Sequence, residues 1–323
     1  MTWSPDPVAF LADLEAKPAA LRDLADAIPA DPWPVDPAAV RRVVFMGMGS
    51  SRFAALAAAA RLRAHGLDAI AEYASAEAVH PGGPGTLAVG VSAGGRTEET
   101  VFALGRHAAA GSATLALTNV AGSPLADQAS HEIAVLAGTE TGGVACRTYQ
   151  HTLIRLLQLE AQLTGARSSE VATLARRAAD ATEDLLARRD TWLADATDLL
   201  TATGSAFLLA PNERLANAEQ GALMLREGPR LQADACESGD WLHVDVYLSK
   251  PLDYRALLFA GSRADDAVMT WMRERDAEVL VVGDAHADAA RTLRYPCDDE
   301  ADVALLTEVV VPELVAAERW RRG

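Results

Sequence analysis

Two stretches of small residues in this 323-residue chain have the composition of an anion site. Phe45-Met46-Gly47-Met48-Gly49-Ser50-Ser51 joins a short apolar run to an Ala-rich segment, and Ser92-Ala93-Gly94-Gly95-Arg96-Thr97 makes the same join after Leu87–Val91. Where a buried strand turns into a helix through glycine and serine, free backbone N–H groups, hydroxyls and the positive end of the helix converge on a volume that suits a phosphate. Gly47-x-Gly49 alone reads equally well as a tight turn with no ligand. Two loops of this kind in one sheet point to a phosphate. The candidate binders are then Ser50, Ser51, Ser92 and Thr97 through their hydroxyls, Gly94 through its amide, and Arg96. A guanidinium suits bidentate contact with an oxyanion, and an exposed loop arginine without a ligand fits the same pattern. Glu98 and Glu99 fall in the first turn of the next helix, where carboxylates complement the dipole, and are read as structural.

The elements that must position these loops are legible in the hydrophobic pattern. Val43–Met46, Leu87–Val91, Thr114–Leu117 and Ile133–Leu136 are short apolar runs without polar alternation, as parallel strands buried on both faces read. Between them Phe53–His65 and Glu98–Ala110 read as helices closed by Gly66 and Gly111. This alternation predicts a doubly wound parallel sheet, with ligands beyond the carboxyl ends of its strands. A helical region from Leu153 to about Leu200, interrupted once near Gly165, leads to further strands at Ala206–Ala210, Ala256–Ala260 and Glu278–Val282. Leu257–Ala267 repeats the strand, small-residue loop and acidic helix start of Leu87–Thr100, so the second half reads as a copy of the first. Residues 7–28 read as a helical arm broken at Pro18, and Pro29, Pro32, Pro34 and Pro37 mark a linker. The expected organisation is an arm and linker over 1–38, a first domain over 39–165, a helical connector over 166–200 and a second domain over 201–323.

Composition narrows the function classes. Half the residues are hydrophobic and 23% are charged, enough apolar material for real cores. A net charge of −16 disfavours nucleic acid and anionic membranes as partners, so any anionic ligand must be held by local donors. Cys146, Cys236 and Cys297 are odd in number and far apart, which reads as thiols in a reducing, cytoplasmic setting. Neither a leader nor a membrane-spanning run is recognised. The seven histidines form no metal-ligand spacing, and no metal or cofactor is expected.

Further segments follow the two loops in order. Glu15-Ala16-Lys17-Pro18-Ala19-Ala20-Leu21 lies in the arm; Leu117-Thr118-Asn119-Val120-Ala121-Gly122-Ser123-Pro124-Leu125 and Thr139-Glu140-Thr141-Gly142-Gly143-Val144-Ala145-Cys146 close the first half. Gln220-Gly221-Ala222-Leu223-Met224-Leu225-Arg226-Glu227 and Gly239-Asp240-Trp241-Leu242-His243 lie in the second. In that order and spacing, over nearly the whole chain, they resemble the sugar isomerase (SIS) domain family. The resemblance is greatest to the isomerase half of glucosamine-6-phosphate synthase and its stand-alone phosphosugar isomerase and deaminase relatives. It implies two tandem, flavodoxin-like parallel-sheet domains with an N-terminal helical arm. It also implies a sugar phosphate as ligand, with Cys146 at the position of a serine that faces the sugar, Glu227 as the base that moves the proton in isomerisation, and His243 as the group that opens the sugar ring. In the family that histidine comes from a neighbouring subunit, so the resemblance implies a homodimer with shared sites.

The chemistry suits a carboxylate and an imidazole. Interconverting an aldose and a ketose needs a base that takes a proton beside a carbonyl and returns it to the adjacent carbon, and a second group that shuttles the ring-oxygen proton. Read without the family, Glu227 is a solvated helix end before Gly228-Pro229 and His243 a polar residue leading into a strand at Val244–Leu248. Several positions depart from the family pattern. Gly94 stands where the phosphate loop has its second serine, Arg96 where it has an acid, Met224 where it has a lysine, and Gln220 where it has a glutamate. The lysine-bearing tail and the glutaminase half of the synthase are not found in this sequence, so no amide transfer from glutamine is expected of it. The expected activity is isomerisation of a phosphosugar or deamination of an amino-sugar phosphate. The alternatives are a non-catalytic phosphosugar-binding or regulatory protein, which would need the loops but not Glu227, and an enzyme on an unphosphorylated or unusual sugar.

Overall fold

The computed structural model of the protein describes residues 5–30, 32–284 and 286–323. Two helices, α1 (Pro7–Glu15) and α2 (Lys17–Ala27), open the chain. Asp6 starts α1 by accepting the Val8 amide at 2.9 Å, with Pro7 at the first helical position where its missing N–H costs nothing. The break between the helices falls at Ala16, two residues before Pro18.

The first sheet contains β1 (Arg42–Gly47), β2 (Asp68–Tyr73), β3 (Thr86–Val91), β4 (Ala113–Thr118) and β5 (His131–Ala134), all parallel, in the order β2-β1-β3-β4-β5. Helices α3 (Ser50–Ala64), α4 (Glu98–Ala109) and α5 (Arg147–Thr164) accompany it. Strands β1 and β3 are buried along almost their whole length, which explains their unbroken apolar sequence. The helices expected at Phe53–His65 and Glu98–Ala110 are α3 and α4, but α3 begins at Ser50, so both serines of the first loop lie in its opening turn.

Helices α6 (Ser168–Ala187) and α7 (Leu193–Thr201) precede the second sheet. The helical region is therefore interrupted twice, once at Gly165 in the left-handed conformation and again at Arg189–Thr191, where the single expected interruption is corrected. The second sheet comprises β6 (Ser205–Ala210), β7 (Gln232–Glu237), β8 (Arg255–Phe259), β9 (Glu278–Val282) and β10 (Arg291–Leu293), parallel and ordered β10-β9-β8-β6-β7. Reading β6 as the first strand of a copy, this is the same winding as the first sheet, and the internal repeat expected from Leu257–Ala267 is a repeat of topology. Helices α8 (Leu215–Glu227), α9 (Ser238–Trp241), α10 (Asp265–Arg273), α11 (Ala301–Thr307) and α12 (Val310–Arg322) belong with it.

Two compact units result. One comprises residues 20–139 and 147–175 and holds the first sheet; the other comprises residues 5–19, 140–146 and 176–323 and holds the second. Among the described residues no helix is long and apolar enough to cross a membrane.

Candidate functional site

The strand order of the first sheet makes the boundary between β1 and β3 its topological switch point, where one connection leads outward to β2 and the next leads the other way. Both sequence-predicted loops leave the sheet there, because β1 and β3 are hydrogen-bonded neighbours in parallel register. Ser50, Ser51, Ser92, Gly94, Arg96 and Thr97 thus share one crest.

Local geometry explains the residue types. Gly49 takes a positive φ of 50° as the N-cap of α3. A Cβ on Gly47 would come within 3.1 Å of the Ser51 side chain, so glycine lets the helix start close to the strand. Ser51 donates its amide to the Met48 carbonyl (3.2 Å). In the second loop Ser92 is buried and its hydroxyl meets that of Thr97 at 3.0 Å. Thr97 is the N-cap of α4 but its side chain caps none of the helix's amides. Gly94 and Arg96 are exposed, and a Cβ placed on Gly94 would meet no atom within 4 Å.

The segment 117–125 is the scaffold of this loop. The Asn119 amide and the Thr118 hydroxyl both donate to the Ala93 carbonyl (3.0 and 3.2 Å), the Leu125 amide donates to Gly95 (3.0 Å), and Ser92 donates to Leu117 (3.1 Å). Gly95, with φ 61°, lies so close to this turn that a Cβ would fall 2.1 Å from the Ser123 hydroxyl. Sequence reasoning missed two neighbours on the other side of β1. Tyr73 ends β2 beside Gly47, and the Arg52 guanidinium stacks over its ring at 3.6 Å. An aromatic at the last position of a strand two residues before a small-residue turn is the only signal the sequence offers for it.

The remaining candidates lie in the other unit. Glu227 is the last residue of α8, half-buried, and burial pushes its carboxyl up from the ordinary value while Arg230 and Arg226 oppose the shift. Gly228 follows it under the indole of Trp320, where a Cβ would sit 2.9 Å from the ring. His243 is exposed, in the turn after α9, and its amide donates to Asp240 (2.9 Å). The strand expected at Val244–Leu248 is instead a helical turn, Asp245–Ser249, in which Val246 faces inward while Tyr247 and Leu248 face solvent. That segment is anchored by Trp241, fully buried, whose indole N–H donates to the Tyr254 hydroxyl at 2.8 Å, with Tyr254 stacked on Phe207 at 4.1 Å. Glu237 caps α9 through the Asp240 amide (2.8 Å).

Cys146 is fully buried, and burial pushes its thiol well up against the opposing pull of Lys17. Its amide donates to Glu140 at 2.7 Å, and Gln220 on α8 donates to the neighbouring Ala145 carbonyl (3.3 Å). Gln220 and Glu227 are two helical turns apart, so the turn that ends at Cys146 meets the face of α8 that continues to Glu227.

The second sheet has a crest of the same topology, with a depression of about 460 Å³ beside it, but two of its loop amides are taken. Asp265 lays one carboxylate oxygen on the amides of Gly261 (2.7 Å) and Ser262 (3.0 Å), where an anion would otherwise sit. Arg214 donates to the Ala260 carbonyl and pairs with Glu308, both partners being buried. A depression of about 740 Å³ runs along α4, lined by Arg96, Arg106, Gln128 and the exposed Phe102, and none of Ser50, Ser51, Ser92 and Thr97 lines it. Among the described residues no group of three or more His, Cys, Asp or Glu could hold a metal.

Residues 38–160 match the SIS domain family. The glutamine–fructose-6-phosphate aminotransferase (isomerizing) of Aeropyrum pernix is 27% identical over 87% of this chain and 49% of its own length; the chain spans about half the length of the curated relatives it matches. Among solved structures, the C-terminal domain of glucosamine-fructose-6-phosphate aminotransferase from Francisella tularensis superimposes with a TM-score of 0.81 at 17% identity, covering 97% of this chain and 95% of that one. Glucosamine-6-phosphate deaminase from Thermotoga maritima superimposes with a TM-score of 0.73 at 18% identity over 98% and 95%. Beyond the match at residues 38–160, the chain shares, over nearly its whole length, the fold of the solved proteins it resembles.

Proposed function

We propose that the protein is a sugar-phosphate isomerase or amino-sugar-phosphate deaminase. The observation that carries this reading is the pair of serine-bearing loops placed side by side at the β1/β3 switch point of a SIS domain, with hydroxyls at Ser50, Ser51, Ser92 and Thr97 and a helix N-terminus behind each loop. They bind the phosphate. Glu227 is the base: its carboxylate takes the proton from the carbon next to the carbonyl, giving an enediol, and returns it to the neighbouring carbon, so aldose and ketose interconvert with no net change in protons. Burial supports the role by raising its affinity for that proton. His243 carries the proton to the ring oxygen as the ring opens, and its exposed position is compatible with a role in a second subunit's site. On a 2-amino sugar the same proton shift gives a ketimine, which water hydrolyses to ketose phosphate and ammonia. The working form is then a cytoplasmic homodimer with shared sites, and no cofactor is required.

The test is a panel of amino-sugar and neutral-sugar 6-phosphates, scored for ammonia release and ketose formation, with Glu227→Gln as control. Turnover that the control abolishes supports the enzyme. Phosphosugar binding without turnover supports the regulatory alternative, and the absence of both would mean that the loops serve another ligand.

A further inference from the structure

The Glu140–Cys146 segment is a strap: chain on either side of it belongs to the unit of the first sheet, while the strap packs with the unit of the second. The helical arm holds it there. On α1, Asp13 accepts the Thr141 and Gly142 amides at 2.7 and 2.8 Å, and the Asp6 amide donates to the Gly142 carbonyl at 3.1 Å. The approach is backbone to backbone, for a Cβ on Gly142 would fall 2.4 Å from the Phe10 Cα and one on Gly143, at φ 76°, 2.9 Å from the Pro5 Cα. One turn after Asp13, Lys17 is wholly buried and its ammonium pairs with Glu313 of α12, 296 residues away and equally buried. Helix α12 packs on α8 at Gly221, where a Cβ would sit 2.6 Å from Pro312, and again at Gly228, beneath Trp320. Phe10 of α1 meets Trp320 at 6.1 Å, which closes the circuit from arm to α12 to the end of α8.

We infer that Lys17 is a positioning residue, whose buried pair with Glu313 fixes the arm to α12 and thereby seats the strap, with Ala145 and Cys146, on the α8 face that ends in Glu227. The inference rests on the proposed function for the meaning of that face. Lys17 touches no substrate. It acts by holding the strap's backbone and the candidate base in one rigid frame, and a looseness of an ångström in such a frame is enough to slow proton transfer. A buried ion pair is a poor source of net stability, since apolar residues of like volume replace such pairs at little cost, whereas removing one partner leaves an uncompensated charge. The experiment exploits that asymmetry.

In a Cys236→Ser, Cys297→Ser background, where Cys146 is the only thiol, Lys17→Met combined with Glu313→Leu is compared with the parent. The combined variant is expected to keep the parent's melting temperature. Its Cys146 should react with a disulfide reagent about tenfold faster or more, because the strap opens locally. Its kcat on whichever of the panel's amino-sugar or neutral-sugar 6-phosphates the parent converts should fall about tenfold, with the affinity for inorganic phosphate unchanged. A thiol as slow as the parent's overturns the inference, and so does a fast thiol with an unchanged kcat, which would make the pair a clamp with no bearing on Glu227. If the combined variant fails to fold, Asp13→Asn, which weakens the strap's amide contacts without stranding a buried charge, is read by the same rates and the same criteria. A parent that converts no sugar phosphate of the panel refutes the proposed function, and the positioning role falls with it; an active parent with an unaffected variant refutes the inference alone.

Discussion

Replacing Gly94 by serine should strengthen phosphate binding. The second loop offers hydroxyls at Ser92 and Thr97, yet these two meet each other at 3.0 Å, so part of their capacity is spent within the loop. Gly94 stands exposed between them in sequence, at the position where the family loop bears a serine. Its φ lies outside the left-handed region, and a Cβ there meets nothing within 4 Å, so a serine enters without strain or collision. One added hydroxyl donating to a charged phosphate contributes about 1.5 kcal/mol at the lower end of the range, chosen because the site is open to water. At about 1.4 kcal/mol per decade this is roughly tenfold in affinity. Titration calorimetry with inorganic phosphate and with fructose 6-phosphate, at fixed ionic strength, measures it, and thermal unfolding checks that the loop is intact. An affinity within about twofold of the parent's, in a protein of unchanged melting temperature, would mean the anion does not sit over this loop.

Gly95→Ala, one residue further, should do the opposite: its Cβ would collide with the Ser123 hydroxyl at a φ of 61°, and the loss of phosphate affinity together with a lower melting temperature is the expected result. Mixing Glu227→Gln protein with His243→Ala protein should regenerate activity in exchanged heterodimers, measured by ketose formation; activity no greater than that of the separate variants would place both groups in one subunit's site or neither. The activity of the parent should rise with pH as the Glu227 carboxyl ionises, with the midpoint above the ordinary glutamate value because burial opposes its charge. Stability should run the other way. Glu308 is pushed from 4.5 to about 8 by burial despite Arg214, so the folded state holds a proton that the unfolded state releases; stability is full below about pH 4.5 and declines as the pH rises through about 8. Thermal unfolding across that window, repeated with Glu308→Gln, should show the decline flattened in the variant.

Interior strands were readable because both their faces are buried: β1, β3, β4, β6, β8 and β9 all carry unbroken apolar runs. The edge strands β2, β7 and β10 were not, since Asp68–Tyr73, Gln232–Glu237 and Arg291–Leu293 expose much of their length and carry acids and arginines there, and the edge strand β5 lies at His131–Ala134, two residues before the apolar run Ile133–Leu136 expected for it. The helical turn at Asp245–Ser249 misled for the related reason that Val244, Val246 and Leu248 alternate like a strand while only Val246 is buried among them. Of the candidate site, the loops were legible from glycine and serine at strand ends. Asp13, Lys17 and Glu313 were not, because a lysine at position 17 reads as surface charge until the chain brings a carboxylate from position 313 to meet it inside the protein.

The repeat of topology also explains why one crest and not the other is the candidate site. After β3 the chain places glycine and serine where an anion can reach the amides; after β8 it places Asp265, whose carboxylate already occupies the corresponding amides. After β1 the helix begins at once with Ser50 and Ser51, whereas after β6 a short turn delivers Arg214 to the Ala260 carbonyl and to buried Glu308. A Cβ on Gly261 would fall 2.5 Å from that guanidinium, and the depression of about 460 Å³ at this crest is lined by Asp265, Asp266 and Asp284. An external phosphate there would have to displace Asp265 and would meet its negative charge on arrival, a contact that costs free energy at any dielectric. Outside this crest the second unit carries the end of α8 with Glu227, the strap with Cys146 and the turn with His243.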